Sequence, residues 1–179
     1  CDSGVEILYG TLACAVSKTG KKIDAVIVEN KSGRYAIEAK SVVDCTGDAD
    51  ICKLSDTATV NFSQGNVLAA WYYSVEKGRY TLTTLGAADI PDKLKDKETE
   101  KLVNKRFTGL DGDEISGMVI LSHGKSLEHV KSKWENGREC ELATIATIPQ
   151  IRMTRRIEGL YTIRSFEGVK NAEKEGTDF

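Results

Sequence analysis

The sequence predicts a mixed α/β chain, in which an antiparallel β-meander and a strand–glycine–helix corner precede a β-rich region with one long helix. Three observations predict it. Extended runs with turn residues between them fill the first 40 positions, a short apolar run stops abruptly at Thr46-Gly47-Asp48, and helical spacing holds from about Asp111 to Trp134.

The elements follow in order. Val5-Glu6-Ile7-Leu8-Tyr9 is a short extended run, and after a bend at Gly10 the signal continues from Thr11 to Val16. Ile23 to Glu29 meets the turn cluster Asn30-Lys31-Ser32-Gly33, and Tyr35 to Ala39 returns with apolar and polar residues alternating. That turn chemistry makes the pair a hairpin and the whole stretch a meander. Ser41 to Cys45 is predicted as a buried strand, and Gly47 as the tight turn after it. A helix over Ala49 to Leu54 is expected to be capped by Thr46 or Asp48. Asn66 to Val75 reads as a further strand ending in a Lys77-Gly78 turn, and the charged stretch Asp89 to Glu100 as a solvated excursion.

The long helix is predicted to be capped by Asp111 or Asp113, with Glu114 three residues after Asp111 as in a capping box, and to run to the stop signal Asn136-Gly137. Its expected core face is Ile115, Val119, Ser122, Leu127, Val130 and Trp134. Gly117 and Gly124 each cost about 1 kcal/mol inside a helix, which predicts close packing at both. Leu142 to Ile148 and Arg152 to Ile163 are extended segments separated by Pro149.

Composition excludes several classes. A formal net charge of −2 with both signs interspersed offers no footprint for nucleic acid or an anionic membrane. No apolar run reaches the roughly 18 residues of a membrane span. Five scattered cysteines without a Cys-x-x-Cys pair fit neither a zinc knuckle nor a redox pair. They suit a reducing cytoplasm, with Cys14 and Cys45 as small buried hydrophobes. His123 and His129 are six apart, so they share no helix face and form no metal pair. Gly124-Lys125-Ser126 lacks the earlier glycine of a phosphate loop, since Val119 stands there. The chain opens without Met at Cys1-Asp2-Ser3-Gly4-Val5, which reads as sequence from the middle of a longer protein.

Two segments could carry chemistry. Val42 to Asp50 would turn a backbone tightly at the carboxyl end of a strand, where Gly47 presents no side chain to a ligand; the alternative is a corner that is only architecture. Arg152, Arg155 and Arg156 could pair with a carboxylate or phosphate, or could be surface ion-pairing residues. In a strand Arg152 and Arg156 face one way and Arg155 the other, so the three cannot serve one site.

Four stretches in order resemble the FAD-dependent oxidoreductase family with a flavin domain of the glutathione-reductase type. Gly4 to Ala13 is similar to the strand and turn beside the adenine, and Ala25 to Ala39 to the meander that follows. Val42-Val43-Asp44-Cys45-Thr46-Gly47-Asp48-Ala49-Asp50 resembles the family's Val-Val-Asp-Ala-Thr-Gly-Asp-Ala-Asp segment, with Cys45 in place of the usual alanine. Pro149 to Tyr161 is similar to the arginine-rich stretch before the chain returns to the flavin; residues 55–105 match loosely.

The resemblance implies cofactor contacts at Ala13, Thr46, Gly47 and Asp48. It implies substrate or anion contacts at Arg152, Arg155 and Arg156, with no metal and no identified general acid or base. It also implies a partial FAD-binding domain over 1–58, a substrate-side subdomain over 59–163 and a tail over 164–179 leading back to the flavin domain. No Gly-x-Gly-x-x-Gly is present to hold a pyrophosphate; the glycines at 109, 112 and 117 have the wrong spacing. The expectation is therefore a fragment of a cytoplasmic flavoprotein acting on a small-molecule substrate. FAD would be bound by the full-length protein and not tightly by this piece, which would be inactive alone. The rival expectation is a non-catalytic binding or structural module. The sequence leaves the oligomeric state open.

Overall fold

A computed structural model of the chain describes residues 3–86, 101–148, 150–151 and 153–160. They group into two compact units: residues up to Val60 together with those from Arg156 onward, and Asn61–Arg155. Fold content is mixed, with antiparallel sheets and one long helix.

The first unit is built on the meander β1 (Leu12–Thr19), β2 (Lys22–Asn30) and β3 (Gly33–Glu38), in sheet order β1-β2-β3. Its pairings are antiparallel, with Asn30 opposite Gly33 across the predicted turn. There the Asn30 side chain accepts the Ser32 N–H at 2.8 Å, as its turn chemistry requires. Ala25 and Val28 on the central strand are buried. Gly10 makes the expected bend, at φ 59°. Residues 4–8 before it join no ladder among the described residues, and Val5 and Ile7 are exposed.

Val42–Cys45 departs from expectation. The stretch is extended but joins no ladder among the described residues, and Val43 is 82% exposed. A strand needs a neighbour for its amides and carbonyls, and none of the described strands takes that place. Cys45 is accordingly exposed instead of buried, while Cys14 is half-buried. The helix after the turn forms as α1 (Asp50–Leu54), with Ile51 buried, and it lies against β1. Lys18 of β1 fixes its far end, donating to the Ser55 carbonyl and the Asp56 carboxylate at 2.7 Å each.

β4 (Thr59–Asn61) and β8 (Arg155–Ile157) pair where the chain passes from one unit to the other and back. In the second unit, β5 (Ala70–Glu76) is flanked by β6 (Arg79–Leu85) and β7 (Glu141–Ile145), both antiparallel to it. Lys77 and Gly78 both take positive φ, 52° and 73°, the two-residue turn that matches hairpin twist. Only the later part of the predicted Asn66–Val75 strand is regular. Asn66 makes an isolated bridge to Phe107, and Val67, Leu68 and Ala69 are buried without a ladder among the described residues. The wholly buried Asn66 side chain acts as a backbone mimic, donating to the Met153 carbonyl at 2.6 Å and accepting its N–H at 3.2 Å.

α2 (Gly112–Glu135) has the predicted ends. Asp111 accepts the Glu114 N–H at 2.9 Å, and Glu114 bonds Thr108 and Gly109, ordering the entry loop. At the other end Gly137 (φ 69°) donates to Trp134 and Arg138 to Lys133, the paired bonds of a glycine-ended helix.

The buried stripe is rotated from the predicted one: it is Met118, Ser122, Ser126 and Val130, while Leu127 and Trp134 are 45% and 49% exposed. The two stripes share Ser122 and Val130; apolar spacing counted Leu127 and Trp134 in and missed Met118 and Ser126. Gly117 and Gly124 have open space where a Cβ would stand, so neither marks close packing. Leu68, Phe107 and Met118 form one core cluster, and Tyr72, Val130 and Cys140 a second. The Asp89–Glu100 excursion lies outside the described residues, as do Pro149, Arg152 and everything beyond Leu160.

Candidate functional site

The corner from Asp44 to Cys52 is organised by one carboxylate that sequence reasoning had not singled out. Asp44 Oδ1 accepts the Thr46 N–H at 3.1 Å and the Thr46 hydroxyl at 2.7 Å, while Oδ2 accepts the Cys52 N–H at 3.0 Å. Thr46 Oγ1 in turn accepts the Asp50 N–H at 2.9 Å. The side chains of Asp44 and Thr46 thereby cap two amides in the first turn of α1, confirming Thr46 in the role expected of it. Ala49 at the N-cap is left-handed (φ 52°) and has no capping side chain. The signal was present in the sequence: an aspartate two residues before a threonine, ahead of a helix start, is a local turn-and-cap pattern.

Electrostatics follow from this geometry. Burial alone would raise the Asp44 carboxyl, but the bonds from Cys52 and Thr46 outweigh it and bring its pKa from 3.8 down to about 2. Asp44 is therefore ionised throughout the physiological range. The neighbouring Cys52 thiol moves the other way, pushed up by burial and by the Asp44 carboxylate, which makes it a poor nucleophile.

Gly47 turns with φ 82°, a conformation that L side chains rarely adopt. A Cβ placed there would meet nothing within 4 Å. The bend is thus open on its side-chain-free face. Thr46, Gly47 and Asp48 are brought together at the corner by three consecutive positions. Ala13 is half-buried on β1, paired with Val28 next to a β-bulge. Arg155 is half-buried and Arg156 exposed, side by side on β8, where alternation aims them at opposite faces. Arg156 donates to the Ile157 carbonyl at 3.1 Å.

Neither histidine stands ready as a ligand. His123 Nε2 lies 2.6 Å from the Ala146 carbonyl and His129 Nδ1 lies 3.0 Å from the Tyr72 hydroxyl. Among the described residues no group of three acidic, histidine or cysteine side chains could hold a metal, and no helix is long and apolar enough to cross a membrane.

Comparison with known proteins bears on the same segment. No curated protein and no solved structure matches the chain. Residues 1–67, which include the meander, the open bend at Gly47 and helix α1, match the FAD dependent oxidoreductase family. Over these residues, then, the chain is similar to the FAD dependent oxidoreductase family.

Proposed function

We propose that the chain contributes one wall of a flavin site of the glutathione-reductase type, in a protein that moves a hydride or electron pair between FAD and a small organic substrate. The observation that carries this reading is the Gly47 bend, strained for any side chain and open where one would stand, inside the family-matched segment. When bound, the flavin supplies the redox chemistry, and the protein's part is to bind and orient it. Thr46, Gly47 and Asp48 would meet the dinucleotide through the corner, with Ala13 beside the adenine.

Charge narrows which part of the cofactor the corner suits. Asp44, Asp48 and Asp50 put three acidic residues within seven positions, and Asp44 is firmly ionised. A diphosphate is repelled by such a corner, whereas the hydroxyls of a ribityl or ribose chain can donate to it. The pyrophosphate would need amides or cations from elsewhere. Arg152, Arg155 and Arg156 are the proposed anion contacts, with Arg155 and Arg156 on opposite faces of β8 and so not on the same anion.

The test is colour. Purified from its complete reading frame, the protein is expected to be yellow with flavin absorption bands, and Gly47→Val is expected to lose the colour while staying folded. A colourless wild-type protein that takes up no added FAD would sink the proposal. The isolated 179-residue chain is expected to bind FAD weakly, and a low-micromolar dissociation constant by titration would refute the one-wall reading.

A further inference from the structure

We propose that the outer face of α2 is an interface between two copies of this chain, paired antiparallel so that Asp113 of each helix stands opposite Lys131 of the other. This inference concerns the second unit alone and does not depend on flavin binding.

The face turned away from the core is unlike that of a solvated helix. At about 100° per residue, the stripe opposite the buried Met118, Ser122, Ser126 and Val130 runs through Asp113, Gly117, Ile120, Gly124, Leu127 and Lys131. A helix packed on one side normally carries its charges on the other. Between Asp113 and Lys131, however, this stripe holds only glycine, isoleucine and leucine. Ile120 is 70% exposed, and Leu127 and the neighbouring Leu121 are exposed as well. The steps along the stripe alternate between four and three residues, the period with which one helix follows another. Gly117 and Gly124 weaken the helix, yet a Cβ on either would meet nothing within 4 Å, so packing inside the unit gives no reason for them. A bare backbone facing outward lets a second helix come close.

The stripe fits itself in one orientation. With helices antiparallel and the two-fold axis level with Ser122, Asp113 faces Lys131, Gly117 faces Leu127 and Ile120 faces Gly124, each twice by symmetry. Every large apolar side chain of the stripe then stands over a glycine, and opposite charges close both ends. The helix dipoles are opposed as well. Parallel pairing in register would instead set Asp113 on Asp113, Lys131 on Lys131 and glycine on glycine, with like charges at both ends and the gaps unfilled. Glu128, at the margin of the stripe, is paired with Lys125 of its own helix at 2.8 Å. One helix face is smaller than a standard interface of roughly 1,600 Å², so the pairing is expected to be reversible.

Sedimentation equilibrium of the intact 179-residue chain tests this. Its mass is expected to rise from 19.6 kDa toward twice that value with increasing concentration. The dissociation constant should be on the order of 10 μM for so small an interface. Ile120→Asp places a charge in the seam at a position open to water in the single chain. It should raise the dissociation constant by at least about tenfold and leave the urea midpoint of the dilute chain unchanged. Gly124→Ala takes up the space beneath Ile120 of the other copy, so it should weaken pairing severalfold even though it strengthens the single helix. Lys131→Glu sets two acids opposite one another and should weaken pairing, and adding Asp113→Lys should restore it. A chain that stays monomeric at every concentration up to several hundred micromolar would overturn the proposal. So would undiminished pairing in Ile120→Asp, or a folded double charge reversal that pairs no better than Lys131→Glu alone.

Discussion

Removing the Asp44 carboxylate should release the corner by an amount that two independent routes agree on. Asp44→Ala deletes the acceptor for the Cys52 and Thr46 amides and for the Thr46 hydroxyl. Loss of an N-terminal cap costs about 1 kcal/mol, and up to about 2 in tightly bonded cases. The pKa gives a second figure: a fall from 3.8 to about 2 corresponds to roughly 2 kcal/mol of preference for the ionised form in the folded state. Screening by solvent at this partly exposed corner trims the figure to between about 1 and 2 kcal/mol.

The sign follows from a depressed carboxyl. The contribution is full above pH 4 and is lost as pH falls toward 2. Both tryptophans lie in the second unit, so the assay is hydrogen exchange at Ala25 and Val28, which report the first unit directly. At pH 7 the variant is expected to expose these amides about tenfold more often than wild type, with the gap closing progressively below pH 4. A gap under twofold at pH 7, or one that persists unchanged to pH 2.5, would refute the assignment.

Two glycine substitutions probe the second unit from opposite directions. Gly124→Ala should stabilise it by about 1 kcal/mol, because the added methyl meets nothing within 4 Å and the helix interior gains propensity; urea denaturation followed by Trp134 emission measures this. Gly109→Ala should destabilise it by at least about 2 kcal/mol in the same assay, since the residue turns at φ 73° and its Cβ would stand 2.9 Å from Ile151 Cδ1 and 3.0 Å from Thr154 Cγ2.

The meander, the ends of α2 and the bend at Gly47 were legible in the sequence because each is set locally. Turn residues fix Asn30–Gly33, side chains three residues apart cap α2, and a glycine alone suits the left-handed turn after Thr46. Three features needed the tertiary structure. Whether Val42–Cys45 pairs depends on a neighbour that no local pattern specifies, and Val43 and Cys45 are exposed for want of one among the described residues. Which stripe of α2 is buried depended on the packing around it, which takes Met118 and Ser126 in preference to Leu127. The Tyr72–His129 and Glu76–Lys133 bonds each join residues 57 positions apart in the sequence, and only the packing of α2 on β5 brings them within hydrogen-bonding distance. Backbone preferences act over a few residues and can be read one segment at a time; burial and long-range hydrogen bonding belong to pairs of segments, so they exist only once the chain has folded.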